Sequence, residues 1–180
     1  MLRLFVGVSL PPEQRQHLSL IAGGLSGVRG VDPGNYHVTV RFIGEVSEDI
    51  ADEVDEALRR VRFAPFKLTI RGVGVFGSST KPRVVYAGVE ISDPLLYLRE
   101  KIEAALVRAG LVPEGRRYIP HVTLGYAQAA SMQGIARFIE VNNLMRLDPV
   151  IIDHFELIRS TVTRSGSIYE AVAQYPARDR

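Results

Sequence analysis

Two short stretches of the chain carry the same reactive pair. Residues 36–42 read Tyr-His-Val-Thr-Val-Arg-Phe, and residues 120–126 read Pro-His-Val-Thr-Leu-Gly-Tyr. Each holds an imidazole and a hydroxyl two residues apart. Side chains alternate across a strand, so His37 and Thr39 share one face, as do His121 and Thr123. On the same parity Arg41 joins His37, while Val38, Val40 and Phe42 lie behind. Two imidazoles near pKa 6.5 can divide acid and base roles around neutral pH. Two threonine hydroxyls can donate hydrogen bonds to phosphate oxygens. The set suits in-line displacement at phosphorus. It lacks the third His, Cys or carboxylate that a zinc site usually needs, so no metal is expected.

Positioning two such motifs requires a repeated scaffold, and the chain reads as one. Strands are expected at 2–10, 35–43 and 65–76, separated by helices beginning at Pro11-Pro12 and after Ser47. Ile50, Val54, Ala57, Leu58 and Val61 form one apolar stripe of the second helix. The order recurs: strands at 83–91, 117–127 and 149–160, a helix from Asp93-Pro94 closed by Gly110, and a short helix that Ser131 would cap. A last strand covers 167–176. Residues 23–34 read as a loop.

The spacings agree. His121 follows His37 by 84 residues and Pro149 follows Pro65 by 84, while Tyr86-Ala-Gly-Val follows Phe5-Val-Gly-Val by 81. The expected fold is α+β and bilobal: two β-α-β-α-β halves, about 1–80 and 81–180, related by a pseudo-twofold. If the sheets of the two halves face each other across a cleft, that cleft holds both histidine–threonine pairs. The lobes would share strands in a single domain spanning 1–180. Phe5 and Tyr86 would bring an aromatic from each half to that cleft, as platforms on which bases could stack.

Composition closes other routes. The 180 residues include no cysteine, which excludes disulfides and thiolate catalysis and fits a reducing cytoplasm. No 18-residue apolar run appears, so no membrane span is expected. Net charge is +2, which permits an anionic partner. The glycines of 72–77 fit a Gly-x-Gly-x-x-Gly pattern, but a loop and a strand follow where a dinucleotide site needs a helix. His17 and His154 have no matching partner and read as structural or surface residues.

The paired His-x-Thr-x motifs resemble those of the two-histidine phosphoesterases. The chain looks most like the bacterial and archaeal RNA 2′,3′-cyclic phosphodiesterases, also called 2′–5′ RNA ligases. "LFVGVSLP", "NYHVTVRFIGEV", "PHVTLGY" and "IRSTVTRSGSIYEAVAQYP" stand in that family's order. The resemblance implies two antiparallel sheets facing a central cleft with helices outside, and hydrolysis of an RNA 2′,3′-cyclic phosphate end to a 2′-phosphate, with no cofactor. It implies His37 as proton donor, His121 as proton acceptor, and Thr39 and Thr123 as phosphate ligands. It extends to 2′–5′ ligation when an RNA 5′-hydroxyl replaces water. Arg41, Arg116 and Arg117 are further phosphate contacts to look for, Arg41 and Arg117 foremost. The partner implied is RNA, not a protein, and the expected state is a monomer. Alternatives are a small cyclic nucleotide or a 2′–5′ oligonucleotide as substrate, or an RNA-end binding module without turnover. The chain departs from the pattern at Tyr86, where Trp is common, and at Ile119 and Tyr126, where basic residues are usual.

Overall fold

The computed structural model describes residues 1–78, 80–128 and 132–178; the Ser131 cap lies outside them. Ten strands and four α-helices occur among the described residues. In chain order they are β1 (Leu2–Ser9), α1 (Pro12–Ala22), β2 (Val28–Gly30), β3 (His37–Val46), α2 (Glu48–Leu58), β4 (Phe66–Leu68) and β5 (Ile70–Gly77). Then follow β6 (Pro82–Val89), α3 (Asp93–Arg108), β7 (His121–Ala127), α4 (Met132–Asn142), β8 (Val150–Ile152), β9 (His154–Thr163) and β10 (Gly166–Pro176).

Helix ends follow local chemistry. The Ser47 hydroxyl accepts from the Ile50 amide and opens α2, and Ser92 does the same for α3 through Leu95. Gly110, at φ +96°, ends α3 in the left-handed conformation that only glycine adopts freely.

Two four-stranded antiparallel sheets form, in the orders β10-β9-β1-β3 and β2-β7-β6-β5, with a two-stranded sheet of β4 and β8. The expected α+β architecture is what forms, and each large sheet takes strands from both halves of the chain. β9 from the second half lies beside β1, and β5 from the first half lies beside β6.

The expected strands 65–76 and 149–160 each break in two, at Thr69 and at Asp153. These breaks are again 84 residues apart. Each break lets a chain pair first across the small sheet and then join a large one. In that small sheet Lys67 stands opposite Ile151, a pair itself separated by 84. A twofold relating the halves would pass between these two residues.

The core fills the space between sheets and helices. Val6, Val8 and Val38 from one sheet, and Val85, Ala87 and Val122 from the other, are buried with Leu18, Val54, Leu58, Leu98, Ile102 and Leu106 from the helices. Each fully buried Leu or Ile contributes about 1.5–3 kcal/mol relative to exposure. The loop expected at 23–34 departs from expectation: Val28–Gly30 forms a strand on the edge of β7. No apolar periodicity marks three residues, so pairing with β7 alone decides it. Among the described residues no helix is long and apolar enough to cross a membrane.

Candidate active site

His37 opens β3 and His121 opens β7. Both strands show the same burial sequence over six residues: half-buried, buried, half-buried, buried, buried, exposed. The two consecutive buried positions mark a break in alternation. In the β1–β3 ladder Val6 faces Arg41 and Gly7 faces Thr39, leaving Val40 unpaired. In the β6–β7 ladder Val85 faces Gly125 and Tyr86 faces Thr123, leaving Leu124 unpaired. Each strand therefore carries a β-bulge three residues after its histidine.

The bulge corrects the expected placement of Arg41. Parity slips by one residue, so Arg41 turns to the helix side and Phe42 turns to the cleft. Arg41 is 7% exposed. Its Nε pairs with the Glu103 carboxylate of α3, Nη1 donates to the Phe42 carbonyl, and Nη2 donates to the Val112 carbonyl at 2.6 Å. Its contacts hold the framework and do not face the cleft.

One cavity of about 250 Å³ brings the motifs together. His37, Thr39, His121 and Thr123 all line it. Phe5 lines it too, as do Arg3, Phe42, Tyr126 and Tyr169. No carboxylate is among its lining residues. Tyr86 stands behind His121 at 5.4 Å between ring centroids and outside the lining. Arg117 is exposed and also lies outside the lining.

Each imidazole is held in the same way. His37 Nδ1 lies 2.7 Å from the Asn35 carbonyl, and His121 Nδ1 lies 2.7 Å from the Ile119 carbonyl. A carbonyl only accepts, so Nδ1 carries the proton in both rings. Nε2 of each neutral ring is then left to bind or release a proton. Nε2 of His37 lies 2.8 Å from Thr39 Oγ1, so in the neutral ring the hydroxyl donates to it.

Aromatic rings seat both. Phe5 tilts against His37 at 4.6 Å and Tyr169 meets its edge at 5.2 Å. Phe76 meets His121 edge-on at 4.7 Å and itself stacks on Tyr86 at 4.3 Å. Gly74 permits that stack, since a Cβ there would come 2.5 Å from the Tyr86 hydroxyl.

Burial is the main force on both histidines and disfavours the imidazolium. It lowers His37 to about 4, assisted by the nearby His121 and opposed by the Asn35 hydrogen bond and the Glu156 carboxylate. Burial also lowers His121, against the Ile119 hydrogen bond. Glu156 is itself buried and accepts from Ser9 at 2.6 Å and from Gln174 at 3.1 Å.

Reading the sequence alone misses two arginines that lie over aromatic rings of the cleft lining, of which Arg3 lines the cleft itself. Arg3 sits over the Phe42 ring at 5.5 Å, and Arg29 sits over the Tyr126 ring at 5.3 Å. Phe42 and Tyr126 are equivalent, 84 residues apart. Tyr126 is a visible signal, but its cation arrives from β2, a strand without a periodic pattern. Among the described residues no three side chains come together as a metal site.

A family model described as LigT like Phosphoesterase matches residues 8–86, which include the first motif. An Aeropyrum pernix protein named RNA 2′,3′-cyclic phosphodiesterase is 34% identical over 152 residues, covering 83% of this chain and 86% of that one. An Archaeoglobus fulgidus protein of the same name is 31% identical over 172 residues, covering 94% and 97%. The structure of TT0787 of Thermus thermophilus matches with a TM-score of 0.80 at 26% identity over 98% of both chains. E. coli LigT complexed with 3′-AMP matches with a TM-score of 0.80 at 23% identity over 99% of both, a likeness of fold.

Proposed function

This chain belongs to the LigT-like phosphoesterase family, and from that membership we propose that it opens the 2′,3′-cyclic phosphate at an RNA end to a 2′-phosphate. The observation that carries the reading is the meeting of both His-x-Thr motifs in one cavity whose lining holds no carboxylate. An anionic phosphodiester meets two hydroxyls, two imidazoles and Arg3 there.

Water loses a proton to Nε2 of His121 as its oxygen attacks phosphorus. The bond from phosphorus to the ribose 3′-oxygen breaks, and that oxygen takes a proton from Nε2 of His37. Thr39 and Thr123 hold the non-bridging oxygens. The products are a 2′-phosphate and a free 3′-hydroxyl. When an RNA 5′-hydroxyl replaces water, the same two transfers form a 2′–5′ linkage, driven by release of the strained ring.

The roles of the two histidines come from the family resemblance. Burial lowers both rings, His37 to about 4, so both are neutral at pH 7 in the free enzyme and burial does not choose between them. A bound phosphodiester anion beside both rings raises both and works against that depression.

The test is an oligoribonucleotide ending in a 2′,3′-cyclic phosphate, incubated with the protein in EDTA. Conversion to the 2′-phosphate is expected. No conversion, with a cyclic mononucleotide opened instead, assigns the site to small nucleotides. Binding without turnover of either substrate makes the protein an RNA-end binding module.

A further inference from the structure

β3 is the edge strand of its sheet, so its outward backbone groups have no neighbouring strand. The matching edge of β7 is covered by β2, where the Val31 amide donates to the Leu124 carbonyl at 2.9 Å. The edge of β3 is covered differently. The segment 111–120, which runs from α3 into His121, is fastened to β3 at two points. Arg41 donates to the Val112 carbonyl at 2.6 Å. Tyr118 donates its hydroxyl to the Thr39 carbonyl at 2.9 Å.

The second fastening joins the two motifs. Thr39 is the hydroxyl residue of the first. Tyr118 immediately precedes Ile119, whose carbonyl holds His121 Nδ1 at 2.7 Å. One side-chain hydrogen bond therefore spans from the backbone of one motif to the residue beside the seat of the other histidine. Arg99 sits over the Tyr118 ring at 4.7 Å and fixes its direction. Burial raises the Tyr118 hydroxyl above its ordinary value, so it remains a donor at any working pH. The position 84 residues earlier is Gly34, so the first half provides no reciprocal bond.

We infer that the Tyr118 hydroxyl is a positioning group that sets the separation of the two His-x-Thr motifs, so that both histidines engage one phosphate. The inference rests on the two-histidine reading given above. Displacements of about 1 Å in such an arrangement can cost up to about a hundredfold in rate.

Tyr118→Phe removes only the hydroxyl. With a cyclic-ended oligonucleotide, kcat is expected to fall about tenfold or more while KM stays within about twofold. Inorganic phosphate supplies a second readout. In the wild type the ring signals of His37 and His121 should move together with one Kd in an NMR titration. In Tyr118→Phe they should separate or require more phosphate. If Tyr118→Phe melts far below the wild type, Arg99→Gln replaces it, leaving the hydroxyl and loosening the ring, with a smaller fall in kcat. A folded variant with unchanged kcat and unchanged phosphate response overturns the inference. If the wild type does not open the cyclic end, the proposed activity has failed, and the phosphate titration alone decides the role of Tyr118.

Discussion

Val40 and Leu124 are equivalent bulge residues, each three positions after its histidine and each left without a partner on the neighbouring strand. The pair decides which side chains reach the cleft. Before the bulge, each histidine and threonine faces the cavity. After it, Arg41 and Gly125 turn inward while Phe42 and Tyr126 turn to the cavity. At Gly125 a Cβ would come 2.9 Å from the Arg29 carbonyl, so only glycine allows β2 to lie so close.

Arg41 is therefore expected to matter for stability more than for binding. Removing one partner of a buried ion pair leaves the other uncompensated, at about 3–5 kcal/mol. Arg41→Met should lower stability by about 3 kcal/mol in urea denaturation, the lower end because Glu103 keeps 20% of its side chain exposed. Arg3→Ala should change stability by less than about 0.5 kcal/mol.

Much of this arrangement is legible in the sequence. The His-x-Thr spacing fixes the reactive faces, because parity holds over two residues. Helix boundaries follow from Ser47, Pro94 and Gly110. Parity fails at Arg41 because a bulge leaves no mark in a run of alternating residues such as Val38-Thr39-Val40-Arg41. The breaks at Thr69 and Asp153 are invisible for the same reason: the flanking residues suit strands on either side. β2 and the Tyr118–Thr39 bond depend on partners far away in the chain, where local pattern carries no information. Phe5 borders the cavity but is buried, packed against His37 and Tyr169, so it seats the histidine and offers no open platform to a base, whereas Tyr86 lies behind His121 because Phe76 from the exchanged strand stacks on it.

Arg3 and Arg29 are expected to act on RNA backbone and bases. No ion pair holds either among the described residues, and each lies over an aromatic ring at the cleft. Arg3→Ala or Arg29→Ala should raise KM several-fold with kcat little changed. Each should also reduce the dependence of log KM on log salt by about 0.7. An unchanged salt slope in both variants removes them from the RNA path.

The base must be unprotonated and the acid protonated, so kcat/KM is bell-shaped with limbs at the two free-enzyme values. Both are lowered from 6.5, His37 to about 4. The maximum of kcat/KM should fall on the acid side of 6.5, and the kcat profile should lie at higher pH because the bound anion favours both imidazolium forms. The same depression is a stability term: present above pH 6.5 and lost as pH falls toward 4, about 3 kcal/mol for His37. Urea midpoints of the wild type should drop between pH 7 and 4.5 more steeply than those of His37→Phe.

A sulfur leaving group separates acid from base. A cyclic substrate whose 3′-oxygen is replaced by sulfur needs no proton at departure. His37→Ala should recover most of its lost rate on that substrate, and His121→Ala should not. Recovery by His121→Ala alone assigns the roles in reverse.

The most direct measurement is single-turnover opening of a cyclic-ended oligoribonucleotide in EDTA, by the wild type, His37→Ala, His121→Ala and the double variant. Groups that act as one unit lose rate non-additively. Each single variant should lose at least about a thousandfold, and the double variant should be little worse than either. Full turnover by either single variant, or losses that multiply in the double variant, would contradict two histidines working on one phosphate.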